Sequence, residues 1–431
     1  MPDQAVPYQE GPGQQVTSDL PLAGVRVVDL TWIVAGPTCT RLMADFGAEV
    51  IRIENQQTLD SVRFGRPHPG GFDPPDSSGF FSWLNRNKRS ITLNVRHPDG
   101  MAVLKKLIAL SDVVIENYSS YVMERWGLGY DELRALREDV IYVSLSGFGH
   151  SGRDRHYSTW GPTAQALSGL TAMSGLPGQP SAGWGYSYMD HTAGYSAMIA
   201  TLAALRHRQT TGEGQQIDLS QVEAGAVLCG PAILDKTVND RGYRSPHNPP
   251  GNRAAWPKVA PHNSYLCDGD PADAGSWLMI TCESHDQWAA LCATAGRDEW
   301  AVDDRFATMP TRLRNQDAVD ELIGEWTRGQ SATALMERLQ AAGVPAGVVQ
   351  DLPSIVYHDP QIQSREFIVT NSHEVLGEHL TDGTPAKLSR TPAQRRAAGP
   401  RLGADNEAIL GDLLGYDDDA RMQLLIDGAL G

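Results

Sequence analysis

Cysteine is scarce and scattered: Cys39, Cys229, Cys267, Cys282 and Cys292 form no CxxC pair and no zinc-ligand spacing. An odd set without local pairing does not complete a disulfide framework, so buried thiols in a reducing cytoplasm are expected. No apolar run reaches the roughly 20 residues that a membrane-spanning helix needs. Met1 to Leu20 is polar and rich in Gln, Pro and Gly, without the basic start and apolar centre of a secretory signal. Positive charge is also short, with 36 Lys and Arg against 52 Asp and Glu and a formal net charge of −16. That balance argues against nucleic-acid and membrane-surface partners, and any anionic ligand must be met by cations gathered locally. Walker GKS/T, HExxH and GxSxG sequences are missing, so P-loop, zinc-hydrolase and serine-triad chemistry have no support, and no metal site is expected.

What the chain does contain is a repeating βα pattern. Val25–Leu30 reads as a buried strand, Ala35-Gly36-Pro37 turns into a helix over Thr38–Phe46, and Glu49–Glu54 is the next strand. A crossover of that length forces parallel strands. The pattern recurs in strand Ser90–Asn94, helix Pro98–Leu110, strand Asp112–Asn117, helix Leu128–Arg137 and strand Val140–Ser146. A long alanine-rich helix over Asp190–Arg208 precedes strand Gln215–Leu219. The expected fold is α/β, with an open, mostly parallel Rossmann-like sheet in a large domain and a smaller α+β domain. Residues 1–230 are read as the N-terminal part of the large domain and 231–261 as a linker rich in Pro, Asn, Gly and Arg. Residues 262–350 are read as the small domain. Residues 351–431, loop-rich from Glu366, are a return linker and the C-terminal part of the large domain.

Gly147-Phe148-Gly149-His150-Ser151-Gly152 matches GxGxxG, but the polar Arg153-Asp154-Arg155-His156-Tyr157 follows where a dinucleotide site needs a helix N-terminus. A dinucleotide cofactor is not expected. His156, His191, His262 and His285 are scattered and read as structural or solvent-facing. Basic residues gather at Asn85-Arg86-Asn87-Lys88-Arg89, with Arg125 further on, and could meet phosphates at a sheet rim. Asp190 opens an apolar helix. An N-cap is the bland role for it, yet a carboxylate held by the helix dipole and backbone N–H groups stays ionised and could act as a nucleophile.

Several short segments, weak alone, appear in one order: Leu22-Ala23-Gly24-Val25-Arg26-Val27-Val28-Asp29, Gly47-Ala48-Glu49-Val50-Ile51-Arg52-Ile53-Glu54 and Asn87-Lys88-Arg89-Ser90, then Glu116-Asn117-Tyr118, Thr211-Gly212-Glu213-Gly214-Gln215 and Gly343-Val344-Pro345-Ala346. In that order, from about Leu22 to Leu414, the chain resembles the class III CoA-transferases, the formyl-CoA transferase and carnitine CoA-transferase group. The resemblance implies transfer of CoA from an acyl-CoA, with succinyl-CoA a reasonable donor, to a free carboxylic acid. It implies a thioester co-substrate, no tightly bound cofactor and an interlinked-ring homodimer, a heteromer with a paralogue being the alternative. It places the catalytic aspartate on Asp190. It places CoA contacts on Ile33, Val34, Asn85, Arg86, Asn87, Lys88, Asn117, Tyr118, Ser119, Arg125, Ser146, Gly147, Phe148 and Gly149. Backbone N–H groups near Asp190 or in the Ser146–Gly149 turn would hold the oxyanion.

This chain departs from that pattern at Asn55, where some members have a basic residue, and at Ala255-Trp256-Pro257-Lys258-Val259, which replaces a glycine-rich loop. The same superfamily includes α-methylacyl-CoA racemases, whose histidine position falls on Trp160. An indole N–H only donates and cannot be a base, although His156 lies close by in sequence. A non-catalytic CoA-binding subunit is a further alternative, against which stands the retained Asp190. Trp160, Trp184, Trp256, Tyr186 and Tyr188 could line an acyl pocket or pack in the core. Arg155 and Arg253 are the candidate partners for a second carboxylate on the acyl group.

Overall fold

Val27 and Val28 are adjacent in sequence and point to opposite faces of one sheet, the two-residue alternation on which a strand covered on both sides depends. The computed structural model describes residues 19–68, 74–242, 251–254 and 256–431. Two compact units divide the chain. The larger comprises the chain up to Thr171, Gly183–Ile233 and Phe367–Gly431; the smaller comprises Ala172–Ala182 and Leu234–Glu366.

In the larger unit six strands form one parallel sheet: β1 Arg26–Asp29, β2 Glu49–Glu54, β3 Arg89–Thr92, β4 Val113–Glu116, β5 Ile141–Ser146 and β6 Gln216–Ser220. Their spatial order is β3-β2-β1-β4-β5-β6. The chain builds outward from β1, then returns to build the other side from β4, so the direction reverses between β1 and β4. In an open parallel sheet that switch point leaves a crevice beyond the carboxyl ends of the two strands.

On one face Val28, Ile51, Ile91 and Val114 pack with the helix Pro98–Ala109 and with Ile409, Leu410 and Leu424 of the C-terminal segment. On the other, Val27, Val50, Val113 and Val143 pack under the helices Ala35–Asp45 and Tyr188–Thr211. These two helices approach closely at Gly194, where a Cβ would lie 2.6 Å from the carbonyl oxygen of Ala35. The edge strand β3 is covered by the chain's own end: the Ser90 and Thr92 N–H groups donate to the side chains of Asp405 and Asn406. This is one way a sheet protects an exposed edge.

The smaller unit holds an antiparallel sheet of β7 His262–Leu266, β8 Trp277–Thr281 and β9 Ala346–Val348. Its core includes Trp288, Phe306, Ile323 and Leu339. Two expectations are corrected. Gly230–Asn239, inside the segment read as a linker, is a helix, with Pro231 in its first turn where proline is tolerated. The return segment read as loop-rich contains the hairpin β10 Ile368–His373 and β11 Gly377–Asp382. Residues 243–250 and Ala255 of the expected linker lie outside the described residues, as do 1–18. All five cysteines are buried and free. Among the described residues no helix is long and apolar enough to cross a membrane.

Candidate active site

A cavity of about 550 Å³ opens in the larger unit at the sheet's switch point. One wall is the turn after β1, with Ile33 and Val34; the opposite wall is the turn after β4, Asn117 to Ser120. The turn after β5 contributes Ser146 and Gly147, and the segment Arg155–Pro162 borders it. Asp190, Ser187 and Gln221 close the set.

The two principal walls are fixed by one side chain. Asn117 accepts from the Trp32 N–H at 2.7 Å and donates to the Trp32 carbonyl at 2.8 Å. Both ends of its amide are thereby used in clipping the β1 turn to the β4 turn. The next residue, Ile33, has φ +64, an outlier for a β-branched residue. Its N–H is held by Asp60 at 3.0 Å, and Asp60 is in turn held by Arg52. A strained backbone persists only where surrounding bonds over-determine it, and here they do so at the cavity wall.

Asp190 stands in the first turn of the helix Tyr188–Thr211, whose N-cap is Ser187. Asp190 is therefore the third residue of the helix and not its N-cap. Its Oδ1 accepts from Gln221 Nε2 at 2.9 Å, and the Ser187 side chain also bonds the carboxylate. Burial raises its pKa above the ordinary aspartate value; the Gln221 and Ser187 bonds oppose the rise without cancelling it. The expected helix-terminus stabilisation thus does not dominate. A half-desolvated carboxylate, less stabilised than one in water, is the better nucleophile for that reason. At Gly161 an added Cβ would lie 2.4 Å from Asp190 Oδ2, so the absence of a side chain there makes room for the carboxylate.

Of the expected CoA contacts, Ile33, Val34, Asn117, Tyr118, Ser119, Ser146 and Gly147 line the cavity with Asp190. Phe148 packs its ring edge-on to Tyr157 at 5.5 Å, and Gly149 takes the turn at φ +80. No helix begins after this glycine-rich turn until Gly161. Arg125 is exposed, on a short helix Val122–Arg125.

The basic run is placed differently. Asn85, Arg86, Asn87 and Lys88 lead into the N-terminal end of β3 and turn their side chains inward. Lys88 Nζ reaches Asp29 at 2.9 Å and Asn85 at 2.8 Å. Arg86 pairs with Asp45 at 2.7 Å and Asp382 at 2.9 Å, and Asn87 donates to Asp45. Burial pushes Asp29 up, but Lys88 and Arg52 outweigh it and hold the carboxyl below its usual range. None of the four lines the cavity.

The aromatic candidates separate as well. Trp160 lines the cavity; Trp184 packs edge-on against Tyr188, Tyr186 stacks on His191, and Trp256 belongs to the smaller unit. No histidine is among the lining residues. His156 stacks on Tyr121, and His191 is held by Thr38 and Tyr186, with burial depressing its pKa to about 4. Of the two arginine candidates, Arg155 lines the cavity, whereas Arg253 is bound to Asp317 and Asp320 in the smaller unit.

Two residues were not singled out from sequence. Gln221, the partner of Asp190, carries no local signal beyond following the β6 strand. Glu116, at the end of β4, is fully buried and accepts from the Tyr118 N–H at 2.7 Å and the Tyr142 hydroxyl at 3.1 Å. Burial is the main cause that lifts its pKa to about 8.

The family model of CoA-transferase family III matches residues 22–406. The chain is 33% identical over 408 residues to the succinyl-CoA–L-malate CoA-transferase beta subunit of Chloroflexus aurantiacus, covering 94% of this chain and 96% of that one. It is 35% identical over 400 residues to the succinyl-CoA–D-citramalate CoA-transferase of the same organism, covering 93% and 95%. Among solved structures, a CaiB/BaiF family protein from Brucella suis matches with a TM-score of 0.81 at 28% identity, over 92% of this chain and 100% of that chain. With its six-stranded parallel sheet, switch-point cavity and near full-length match, the chain belongs to CoA-transferase family III, enzymes whose co-substrates are CoA thioesters.

Proposed function

We propose that the chain moves CoA from succinyl-CoA to a free carboxylic acid through covalent intermediates on Asp190. The observation that carries this reading is a half-desolvated carboxylate, oriented by Gln221, opening into the switch-point cavity. Two relatives named for succinyl-CoA support the choice of donor.

An Asp190 oxygen attacks the thioester carbonyl; the new C–O bond forms as the C–S bond breaks, leaving a mixed anhydride and CoA thiolate. The thiolate attacks the aspartyl carbonyl, forming aspartyl-CoA and releasing the donor acid as its carboxylate. The acceptor carboxylate attacks that thioester, giving a second anhydride and thiolate. Attack of the thiolate on the acceptor's acyl carbon makes the new acyl-CoA and restores the Asp190 carboxylate. Each step exchanges one acyl bond for another and needs no net proton. Charge develops on carbonyl oxygens in every step, and N–H groups of the Ser146–Gly149 turn or near Asp190 are the proposed donors to it.

Ile33, Val34, Asn117, Tyr118, Ser119, Ser146 and Gly147 form the proposed wall for the thioester and pantetheine arm, with exposed Arg125 proposed for the phosphates. A racemase would need two proton-transfer groups, and no imidazole faces Asp190 across the cavity.

The interlinked homodimer is proposed from the resemblance and from an apolar row on the helix Tyr188–Thr211, where Tyr195, Ile199 and Leu202 are exposed at helical spacing. A monomeric mass by light scattering would count against it. The test of the chemistry is peptide mass spectrometry after incubation with succinyl-CoA and quenching with hydroxylamine or borohydride. A mass change on the Asp190 peptide is expected; an unmodified Asp190 with every thioester tried would overturn the reading.

A further inference from the structure

Two charged side chains line the cavity, Asp190 and Arg155. Four buried or half-buried arginines of the larger unit are paired with carboxylates, Arg52 with Asp60, Arg63 with Glu54, Arg86 with Asp45 and Arg137 with Asp112. Arg155 differs. No carboxylate among the described residues pairs with it, and its Nε is buried without a hydrogen-bond partner.

Its position is nevertheless fixed. The Ser120 hydroxyl donates to the Arg155 carbonyl at 2.7 Å, tying its backbone to the β4 turn. The guanidinium lies 4.6 Å over the Tyr121 ring, and Tyr121 stacks on His156 with centroids 5.1 Å apart. Tyr121 itself has φ +70, a conformation that non-glycine residues seldom adopt. Stacking holds a guanidinium by its face and leaves the in-plane N–H donors free. A cation held rigidly, partly desolvated and short of acceptors is matched to a planar anion that takes two N–H bonds at once, which describes a carboxylate.

We propose that Arg155 binds the distal carboxylate of a dicarboxylic acyl group while the proximal carbonyl reacts at Asp190. This rests on the proposed transfer through Asp190 and adds the residue that selects the acid. Both the donor and the acceptor visit the same cavity, so the preference applies to each. A monocarboxylic acyl chain of equal length would leave the Arg155 donors unpaired, and sites built to bond a polar group discriminate strongly against analogues lacking it.

The test compares succinyl-CoA with butyryl-CoA in the donor half-reaction, for the wild type, Arg155→Met and Arg155→Lys. The readouts are labelling of the Asp190 peptide and the KM of each thioester. Arg155→Met is expected to lose about 100-fold in kcat/KM on succinyl-CoA, mainly through KM, and less than about threefold on butyryl-CoA. Arg155→Lys recovers part of the loss, and affinity for free CoA, read by calorimetry, stays unchanged. Equal losses on the two thioesters, or weakened CoA binding, would assign Arg155 to the CoA moiety and overturn the proposal. If the wild type labels Asp190 with neither thioester, the transfer reading fails separately. Calorimetry of succinate against butyrate then judges Arg155, and equal binding of the two acids overturns its assignment. Thermal melting of both variants shows whether they fold.

Discussion

Gln221 Nε2 donates to Asp190 Oδ1 at 2.9 Å, joining the helix that follows β6 to the first turn of the helix Tyr188–Thr211. The bond orients one carboxylate oxygen and leaves the other for attack. It also stabilises the anion, opposing the rise that burial causes. Gln221→Leu removes the donor, so the Asp190 pKa moves further up. The ionised fraction then falls at mildly acidic pH, and the acidic limb of the kcat/KM profile shifts to higher pH. On the alkaline plateau of both profiles, where the rate no longer changes with pH, the remaining loss reports orientation alone and is expected at about 10- to 100-fold in kcat. An unshifted acidic limb would show that the bond does not act on the ionisation of Asp190.

Gly161 controls the room around the same carboxylate. Its hypothetical Cβ at 2.4 Å from Oδ2 is too close for any real contact, and the neighbour that must yield is Asp190 itself. Gly161→Ala is expected to reduce kcat by at least about 100-fold, because a displacement near 1 Å is costly for an attacking group. Stability should change by less than about 1 kcal/mol, since the carboxylate can swing into the cavity. Activity close to wild type, with the fold intact, would mean that Asp190 reacts from a different rotamer.

Glu116 makes a prediction about pH and stability. Its carboxyl is buried against Tyr142 and the Tyr118 N–H, with His150 Nε2 at 3.5 Å and the charges of Glu124 and Asp218 nearby. The folded pKa of about 8 lies above the unfolded value of 4.5. Between those values the native state holds a proton that the unfolded chain has lost, so stability falls as pH rises from about 4.5 to 8. Glu116→Gln keeps a neutral, hydrogen-bonding group and removes the titration. Urea denaturation should therefore show a pH-dependent difference between the two proteins, growing toward alkaline pH to an order of 3–4 kcal/mol. Parallel stability curves from pH 5 to 8 would refute the raised pKa.

The sheet was legible in the sequence because its strands are short β-branched runs covered on both faces, and β2 begins and ends at the residues expected, Glu49 and Glu54. The ends of the helix His285–Ala295 are legible too, since Ser284 caps its start and Gly296 ends it in the left-handed region. The hairpin Ile368–Asp382 was not, because one of its strands reads Gly-Glu-His-Leu-Thr-Asp and lacks a core-facing alternation. Asp190 stood out through its sequence neighbours, but Gln221 lies 31 residues further along, and only the meeting of two helices brings it in. The basic run was legible as charge and not as environment. Asp382, which neutralises Arg86, is 296 residues away, so the pairing exists only once the C-terminal segment has returned to the sheet.

Lys88 decides between the two roles open to that run. In the structure its ammonium is buried with Asp29, to which the Thr31 N–H and the Thr31 and Thr40 hydroxyls also donate. Lys88→Met fills the volume but leaves the Asp29 carboxylate without its nearest cation. Removing one partner of a buried pair typically costs about 3–5 kcal/mol, and urea denaturation should show a loss of that size. The double variant Lys88→Met with Asp29→Asn removes the stranded charge and should recover much of it, a coupling that independent sites would not show. CoA affinity of the folded fraction is expected to stay within about threefold of wild type, because Lys88 does not line the cavity. If instead stability held while CoA binding fell tenfold or more, the ammonium would have to leave Asp29 for a phosphate, and the buried pair would be a resting arrangement that the ligand breaks.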